Sequence, residues 1–285
     1  MSLKKVNGSQ LFRRKEANMH RFFLTDQDVL TVNENEEMIS DALEADLISR
    51  VTASHIIIKT PDTLHHMLRS LRMTVGEACE MISDGVVYIS QIDEMMEESI
   101  QLSILKKLET IYESPIEVTL FQCLPKGQKM ELIVQKNVEL GVNHFYLVNA
   151  KRCVADYKHK DFDKKRLRFN KIANEAAKQS KRTQIPEVID LIELKALENM
   201  VSNYDLLLAL YEDEHQQTLK TLIKATEYKR IGIIVGPEGG FAIEEISFLK
   251  EIGFKVVTLG NRILRTETAG FTAVACLQYE LGDLS

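Results

Sequence analysis

The run Ile231-Gly232-Ile233-Ile234-Val235 passes directly into Gly236-Pro237-Glu238-Gly239-Gly240, and this junction restricts the possible folds more than any other stretch. A short apolar run closed by glycine and proline reads as a strand buried on both faces. A helix, Ile243 to Glu251, and a second strand, Lys255 to Leu259, follow at once. A second loop, Gly260 to Thr268, then leads into a last helix, Ala269 to Leu281. Two glycine-bearing loops at the carboxyl ends of neighbouring parallel strands lie where open α/β sheets hold a ligand, and their exposed amides can be read by a nucleoside.

Upstream the same alternation continues, which is the mark of a parallel sheet covered by helices. Pro115 marks the entry to this domain, 114–285. Ile116 to Leu124, His144 to Val148 and Asp205 to Tyr211 read as strands. Lys129 to Leu140 reads as a helix with Met130, Ile133, Val134 and Val138 on one face, stopped by Gly141. Lys164 to Lys181 reads as a long helix. The first half differs. Short strands at His55 to Lys59, Ala78 to Ile82, Val86 to Ile92 and Ser99 to Ile104 predict a small β-barrel-like domain over 19–105. Asp84-Gly85 is its hairpin turn. A helix from Asp62 to Leu71, capped by Asp62 or Thr63, interrupts it. Asp26 to Arg50 is acidic and helix-like, and Lys106 to Ser114 is a charged connection. Met19 reads as a natural start, with residues 1–18 a tag, a misplaced start or a basic arm.

With 285 residues, 45% of them apolar, the chain is long enough for two domains. No apolar run of about 18 residues is present, so a cytoplasmic protein without a membrane span is expected. Cys79, Cys123, Cys153 and Cys276 form no C-x-x-C pair and read as reduced thiols. His65 and His66 point about 100° apart on a helix with no third ligand nearby, so no metal is expected. The net charge of −6 argues weakly against nucleic acid, but its distribution argues the other way. Between Lys151 and Arg182 stand twelve Lys/Arg against four Asp/Glu. A concentrated basic face can meet phosphates whatever the overall sign, because charge beyond about 10 Å is screened.

The two loops leave alternatives open. No Lys-Ser/Thr follows the glycines of 236–240, and G-x-G-x-x-G is missing, so neither common phosphate loop fits. What remains is either a plain strand-to-helix turn or a loop open to a ligand, with Glu238 at its tip. Ile263 and Leu264 are large apolar residues where polar turn residues are usual, and by that argument alone are as readily core as not. Arg265 and Glu267 form either a mutual or helix-capping ion pair, or part of a reacting site.

The composite GPEGG, then LG-x-R-I-L-R-T-E-T-A, resembles the end of the SPOUT (trefoil-knot) RNA methyltransferases, and specifically the RsmE family, which methylates a uridine of small-subunit ribosomal RNA. His66 to Met73 resembles that family's H-x-x-x-x-L-R-M signature. Lys126-Gly127-Gln128-Lys129-Met130-Glu131 is similar to its basic turn, and Glu175 to Arg182 followed by Ile185-Pro186-Glu187 to its E-A-x-x-Q-S-x-R…I-P-E pattern. The resemblance runs from Met19 nearly to the end and departs over the acidic residues 26–50. It implies an α/β SPOUT trefoil-knot domain at the C-terminal end, with a smaller N-terminal PUA-like β-barrel domain that binds RNA. It further implies S-adenosyl-L-methionine as cofactor, 16S ribosomal RNA of the small ribosomal subunit as partner, and a homodimer. Leu259, Gly260, Ile263, Leu264 and Thr266 would form the cofactor pocket's floor, completed by Gly236, Glu238, Gly239, Leu210 and Tyr211. RNA contacts would fall on Arg21, Arg69, Arg72, Lys126, Lys129, Lys178, Lys181 and Arg182. Methylation at ring nitrogen 3 of uracil requires loss of its proton, so Glu267 or Glu238 would accept it while Arg265 stabilises the negative ring. Two other readings stay open: a SPOUT enzyme for another RNA such as transfer RNA, and an RNA-binding ribosome-assembly factor without turnover.

Overall fold

The computed structural model describes residues 19–32, 54–108, 113–155, 157, 159–223 and 228–284. The expectations for residues 1–18 and for most of the acidic segment lie outside these. The chain divides into two compact units, Met1–Ile111 and Tyr112–Ser285.

In the first unit β1 (His20–Phe23), β2 (Val29–Thr31), β3 (His55–Ile58), β4 (Ala78–Ser83), β5 (Val86–Met95) and β6 (Ile100–Leu108) form one sheet. Their order is β1-β4-β5-β6-β3-β2. Only β1 and β4 run parallel among these neighbours. Asp84 and Gly85 join β4 to β5 with φ of 48° and 78°, the left-handed pair a two-residue hairpin needs. Phe22, Ile56, Met67, Met81 and Leu102 meet in its core. Three expectations change here. Residues 29–31 are a strand paired with β3, not part of a helix-like segment. The helix α1 (Pro61–His65) is preceded by Thr60, because Pro61 occupies the first turn where its missing N–H costs nothing, and it continues as a π-helical turn, His66–Ser70. Lys106 and Lys107 belong to β6, so the charged connection starts later.

The second unit is an entirely parallel sheet of β7 (Glu117–Cys123), β8 (Val142–Asn149), β9 (Glu187–Glu193), β10 (Leu206–Leu210), β11 (Arg230–Val235) and β12 (Lys255–Val257). Its order is β12-β10-β11-β7-β8-β9. Every residue of β10 is buried, and so is every residue of β11 after Arg230, which is why their sequences are unbroken apolar runs. Helices α2 (Lys129–Glu139), α3 (His159–Gln179), α4 (Leu219–Ile223), α5 (Ile243–Glu251) and α6 (Thr266–Leu281) accompany the sheet. Phe121, Val148, Ile234, Phe241 and Leu249 share one core cluster. Sequence periodicity misses β9, an edge strand whose acids Glu187, Asp190 and Glu193 interrupt the apolar pattern, as exposed edges commonly do. It also starts two helices late. The long helix begins at His159, and α6 begins at Thr266, so Thr266, Glu267 and Thr268 are its first turn and not loop. Among the described residues no helix is long and apolar enough to cross a membrane.

Candidate ligand cleft at the ends of three strands

Leu210 at the end of β10 pairs with Val235 of β11 on one side and Val257 of β12 on the other. The three strands therefore stop level, and Tyr211, Gly236 and Thr258 leave the sheet together. The chain segments that diverge there enclose a cleft of about 380 Å³. Leu210, Val235 and Val257 floor it, and Gly236, Glu238 and Gly240 form one wall. Leu259, Gly260, Ile263, Leu264 and Arg265 of the second loop, with Thr266 at the start of α6, line it as well. Ile263 is 86% exposed, so it is not core. An isoleucine held in water beside a cleft offers a face to a ligand.

A buried polar chain ties the two loops together. The Thr266 hydroxyl donates to the Gly236 carbonyl at 2.7 Å, and the Gln122 side-chain amide donates to the Thr266 oxygen at 2.9 Å. Gln122 is wholly buried on β7. The first residue of α6 is thus fixed to the first residue of the glycine loop, which sets the width of the cleft. Gly260 has φ of 119°, a conformation that favours glycine, and its N–H donates to the Thr258 hydroxyl at 3.2 Å.

The charged groups assemble around Lys129. Its Nζ lies 2.9 Å from Glu238 Oε1 and 3.1 Å from Glu267 Oε2. Both oxygens of Glu238 also accept from the Lys126 amide, at 3.1 and 3.2 Å. Burial alone would raise the Glu238 carboxyl, but the Lys129 hydrogen bond and the amides of Glu238 and Lys126 hold it below its usual value. The Glu238 hydrogen bond, reinforced by Glu267 and opposed by burial, holds the Lys129 ammonium above its usual value. Glu267 therefore pairs with Lys129, and the mutual pair with Arg265 does not form. Arg265 is exposed, and among the described residues its guanidinium has no hydrogen bond or ion pair.

The cleft brings together Leu210, Tyr211, Gly236, Glu238, Leu259, Gly260, Ile263, Leu264, Arg265 and Thr266 of the expected residues, and Lys129 with them. Gly239 is not in its wall; its carbonyl accepts from Arg152 at 2.9 Å. Glu267 lies behind the wall on Lys129. Glu212, His215, Asn261 and Arg262 also line the cleft and were not expected. Glu212 sits in the acidic run Glu212-Asp213-Glu214, which sequence alone reads as solvated charge.

Two RNA candidates are corrected. Arg21 is buried opposite Glu80 at 3.2 Å, on adjoining strands whose register places the two side by side. Arg182 is also buried, against Glu113 at 2.6 Å and the Val138 carbonyl at 3.3 Å. Neither guanidinium reaches solvent to meet a phosphate. Lys178 is half-buried and pairs with Glu175 at 2.9 Å. Arg69, Arg72, Lys126 and Lys181 are exposed. Among the described residues no group of His, Cys, Asp and Glu could hold a metal ion.

The model of the RNA methyltransferase domain matches residues 112–278. The Bacillus subtilis (strain 168) protein named ribosomal RNA small subunit methyltransferase E is 32% identical over 78% of this chain and 89% of its own length. A crystal structure of a ribosomal RNA small subunit methyltransferase E from Neisseria gonorrhoeae bound to S-adenosyl methionine is 28% identical. It superposes with a TM-score of 0.76 over 94% of this chain and 100% of that one. A putative methyltransferase from Legionella pneumophila, in complex with the same cofactor, is 31% identical, with a TM-score of 0.72 over 81% of this chain and 93% of that one. With the domain match spanning more than half its length and these relatives most of it, the chain belongs to the RNA methyltransferase domain family and, within it, to the small-subunit ribosomal RNA methyltransferases E.

Proposed function

We propose that this chain is an S-adenosylmethionine-dependent methyltransferase acting on ring nitrogen 3 of a specific uridine in 16S ribosomal RNA. The cleft at the level ends of β10, β11 and β12 carries the reading. Its volume of about 380 Å³ falls within the range of small-molecule sites, about 300–1,000 Å³. The residues present fit the cofactor. Leu210, Val257 and Leu264 offer apolar contact to an adenine, and the backbone of 259–264 offers amides and carbonyls to its edge. The relatives' names supply the RNA class, and the two solved neighbours were bound to the cofactor.

When bound, the cofactor supplies a methyl group made electrophilic by a sulfonium. The chain's own residues handle the uracil. Its N3 proton must leave before the nitrogen attacks, and the ring carries negative charge as it does so. Arg265, exposed at the rim and unengaged by other described residues, stabilises that charge. Glu267, which rests behind the wall on the cleft-lining Lys129, accepts the proton by turning from that pair into the cleft, while Glu238, held as an anion by three donors, braces the glycine loop. Glu267→Gln is expected to lower single-turnover transfer about a hundredfold with cofactor saturating. Full retention of the rate would remove Glu267 from the mechanism.

The remaining features follow the same reading. The loop 259–265 with the start of α6 belongs to a trefoil knot, and the first unit is a PUA-like RNA binder. The chain works as a homodimer in the cytoplasm. Tyr279, 68% exposed on α6 beside exposed Cys276, supports a face covered by a second copy. Labelled S-adenosylmethionine offered with small ribosomal subunits lacking the modification tests the proposal. Recovery of labelled 3-methyluridine from 16S RNA is expected; label in another nucleoside, or none, overturns it.

A further inference from the structure

We infer that Glu212 is the cleft's receptor for the vicinal hydroxyls of the cofactor's ribose, an assignment that rests on the cofactor reading above. Glu212 stands two residues beyond the end of β10 and lines the cleft. Its acidic neighbours are already engaged. Asp213 accepts from the Tyr211 hydroxyl at 3.1 Å, and Glu214 accepts from the amides of Gln216 and Gln217 at 2.8 and 3.1 Å. No hydrogen bond or ion pair among the described residues engages the Glu212 carboxylate.

Glu212 is exposed, but its carboxylate has a close neighbour in the glycine loop. It lies over Gly240, where an added Cβ would meet Glu212 Oε1 at 2.1 Å. Any larger residue would push it out of the cleft wall. Gly240 does not itself hold the carboxylate, since its N–H donates to the Pro237 carbonyl at 2.9 Å. The site therefore presents an acceptor with, among the described residues, no protein donor.

An ionised carboxylate only accepts, and its two oxygens match two adjacent hydroxyl donors. An acid just past a strand end serves a ribose in this way in dinucleotide-binding folds. Here the apolar floor begins at Leu210, two residues away, so the acceptor is within a sugar's reach of an adenine resting there. The amino-acid end of the cofactor lies beyond the sugar and is the poorer match.

The test measures binding of 5′-methylthioadenosine and its 2′-deoxy counterpart to the full chain, by titration calorimetry, for wild type, Glu212→Gln and Glu212→Ala. Wild type is expected to prefer the ribose form about tenfold, the worth of one charge-assisted hydrogen bond. Both variants are expected to bind the two ligands alike, at the deoxy level, with unchanged unfolding midpoints. Preference retained in the variants overturns the assignment. So does weakened S-adenosylmethionine binding with both nucleosides unaffected, since the carboxylate would then serve the ammonium or sulfonium. In those two cases the cofactor reading stands. Wild type that binds neither S-adenosylmethionine nor the nucleosides overturns that reading and this assignment together.

Discussion

The ammonium of Lys129 lies 2.9 Å from Glu238 and 3.1 Å from Glu267, so removing it leaves two carboxylates facing each other at the cleft. Because Glu238 titrates below its ordinary 4.5 in the fold, its contribution to stability is present above that value and is lost as pH falls through the folded value. Lys129, raised above its ordinary 10.5, contributes below that value and loses its effect as pH rises through the folded one. Lys129→Met is therefore expected to lower the unfolding midpoint at neutral pH, with the gap to wild type closing in acid as pH falls through the depressed folded value of Glu238, since a protonated Glu238 no longer needs a cation. Thermal melts across that range check it; a gap that stays constant refutes the pairing. Arg182 makes the opposite point about legibility. In the sequence it closes a run of cations and resembles its neighbour Lys181, whereas in the fold it is buried on Glu113, which also accepts from the amides of Thr183 and Gln184 at 2.8 and 3.0 Å. Nothing in a charge pattern separates a cation folded inward from one facing water. Arg182→Ala leaves the half-buried Glu113 carboxylate with its two amide donors but without its cation, and is expected to cost about 3 kcal/mol in urea unfolding. Lys181→Ala should leave stability unchanged.

At the scale of elements, the sequence carried the alternation of the second unit and the position of the cleft, because buried parallel strands advertise themselves as apolar runs. It carried the start of α6 poorly. Thr266 and Glu267 look like loop residues beside Ile263 and Leu264, and only the hydrogen bonds from Gln122 to Thr266 to Gly236 place the helix start there. A partner 144 residues away in the chain leaves no local signal. Thr266→Val keeps the shape but leaves the Gln122 amide and the Gly236 carbonyl without that hydroxyl. A loss of about 1–3 kcal/mol in stability is expected, with weaker cofactor binding as the two loops part. Calorimetry with and without S-adenosylmethionine checks both; an unchanged cofactor affinity would show that the loops are held elsewhere. Ile263 behaves differently because it is 86% exposed. Ile263→Ala should leave stability unchanged yet weaken cofactor binding about tenfold, because less apolar surface then leaves water when the ligand binds.

For the whole molecule the question is how a chain of net charge −6 approaches a polyanion. The answer lies in where its cations remain free. Along α3, Arg166 faces Asp163 at 3.5 Å, Arg168 faces Glu131 at 2.7 Å, and Lys165 lies over the Tyr157 ring at 4.5 Å. The basic run is thus partly neutralised within its own unit, which its composition does not disclose. Lys164, Lys171 and Lys181 are exposed, and among the described residues no ion pair engages them. These three, more than the full run, are the expected phosphate contacts. Counterion release then predicts a fall in RNA affinity with salt, with a log–log slope of about 0.7–0.9 per phosphate neutralised. Replacing Lys164 and Lys171 together by Ala should make that slope shallower by about 1.4–1.8 and weaken binding without moving cofactor affinity. Arg166→Ala, which removes a cation already paired, should change the slope far less. Filter binding to small-subunit RNA over a salt series distinguishes them. Equal slopes for wild type and the double variant would place the RNA on another face, and the exposed Arg69 and Arg72 of the first unit would be the next to test.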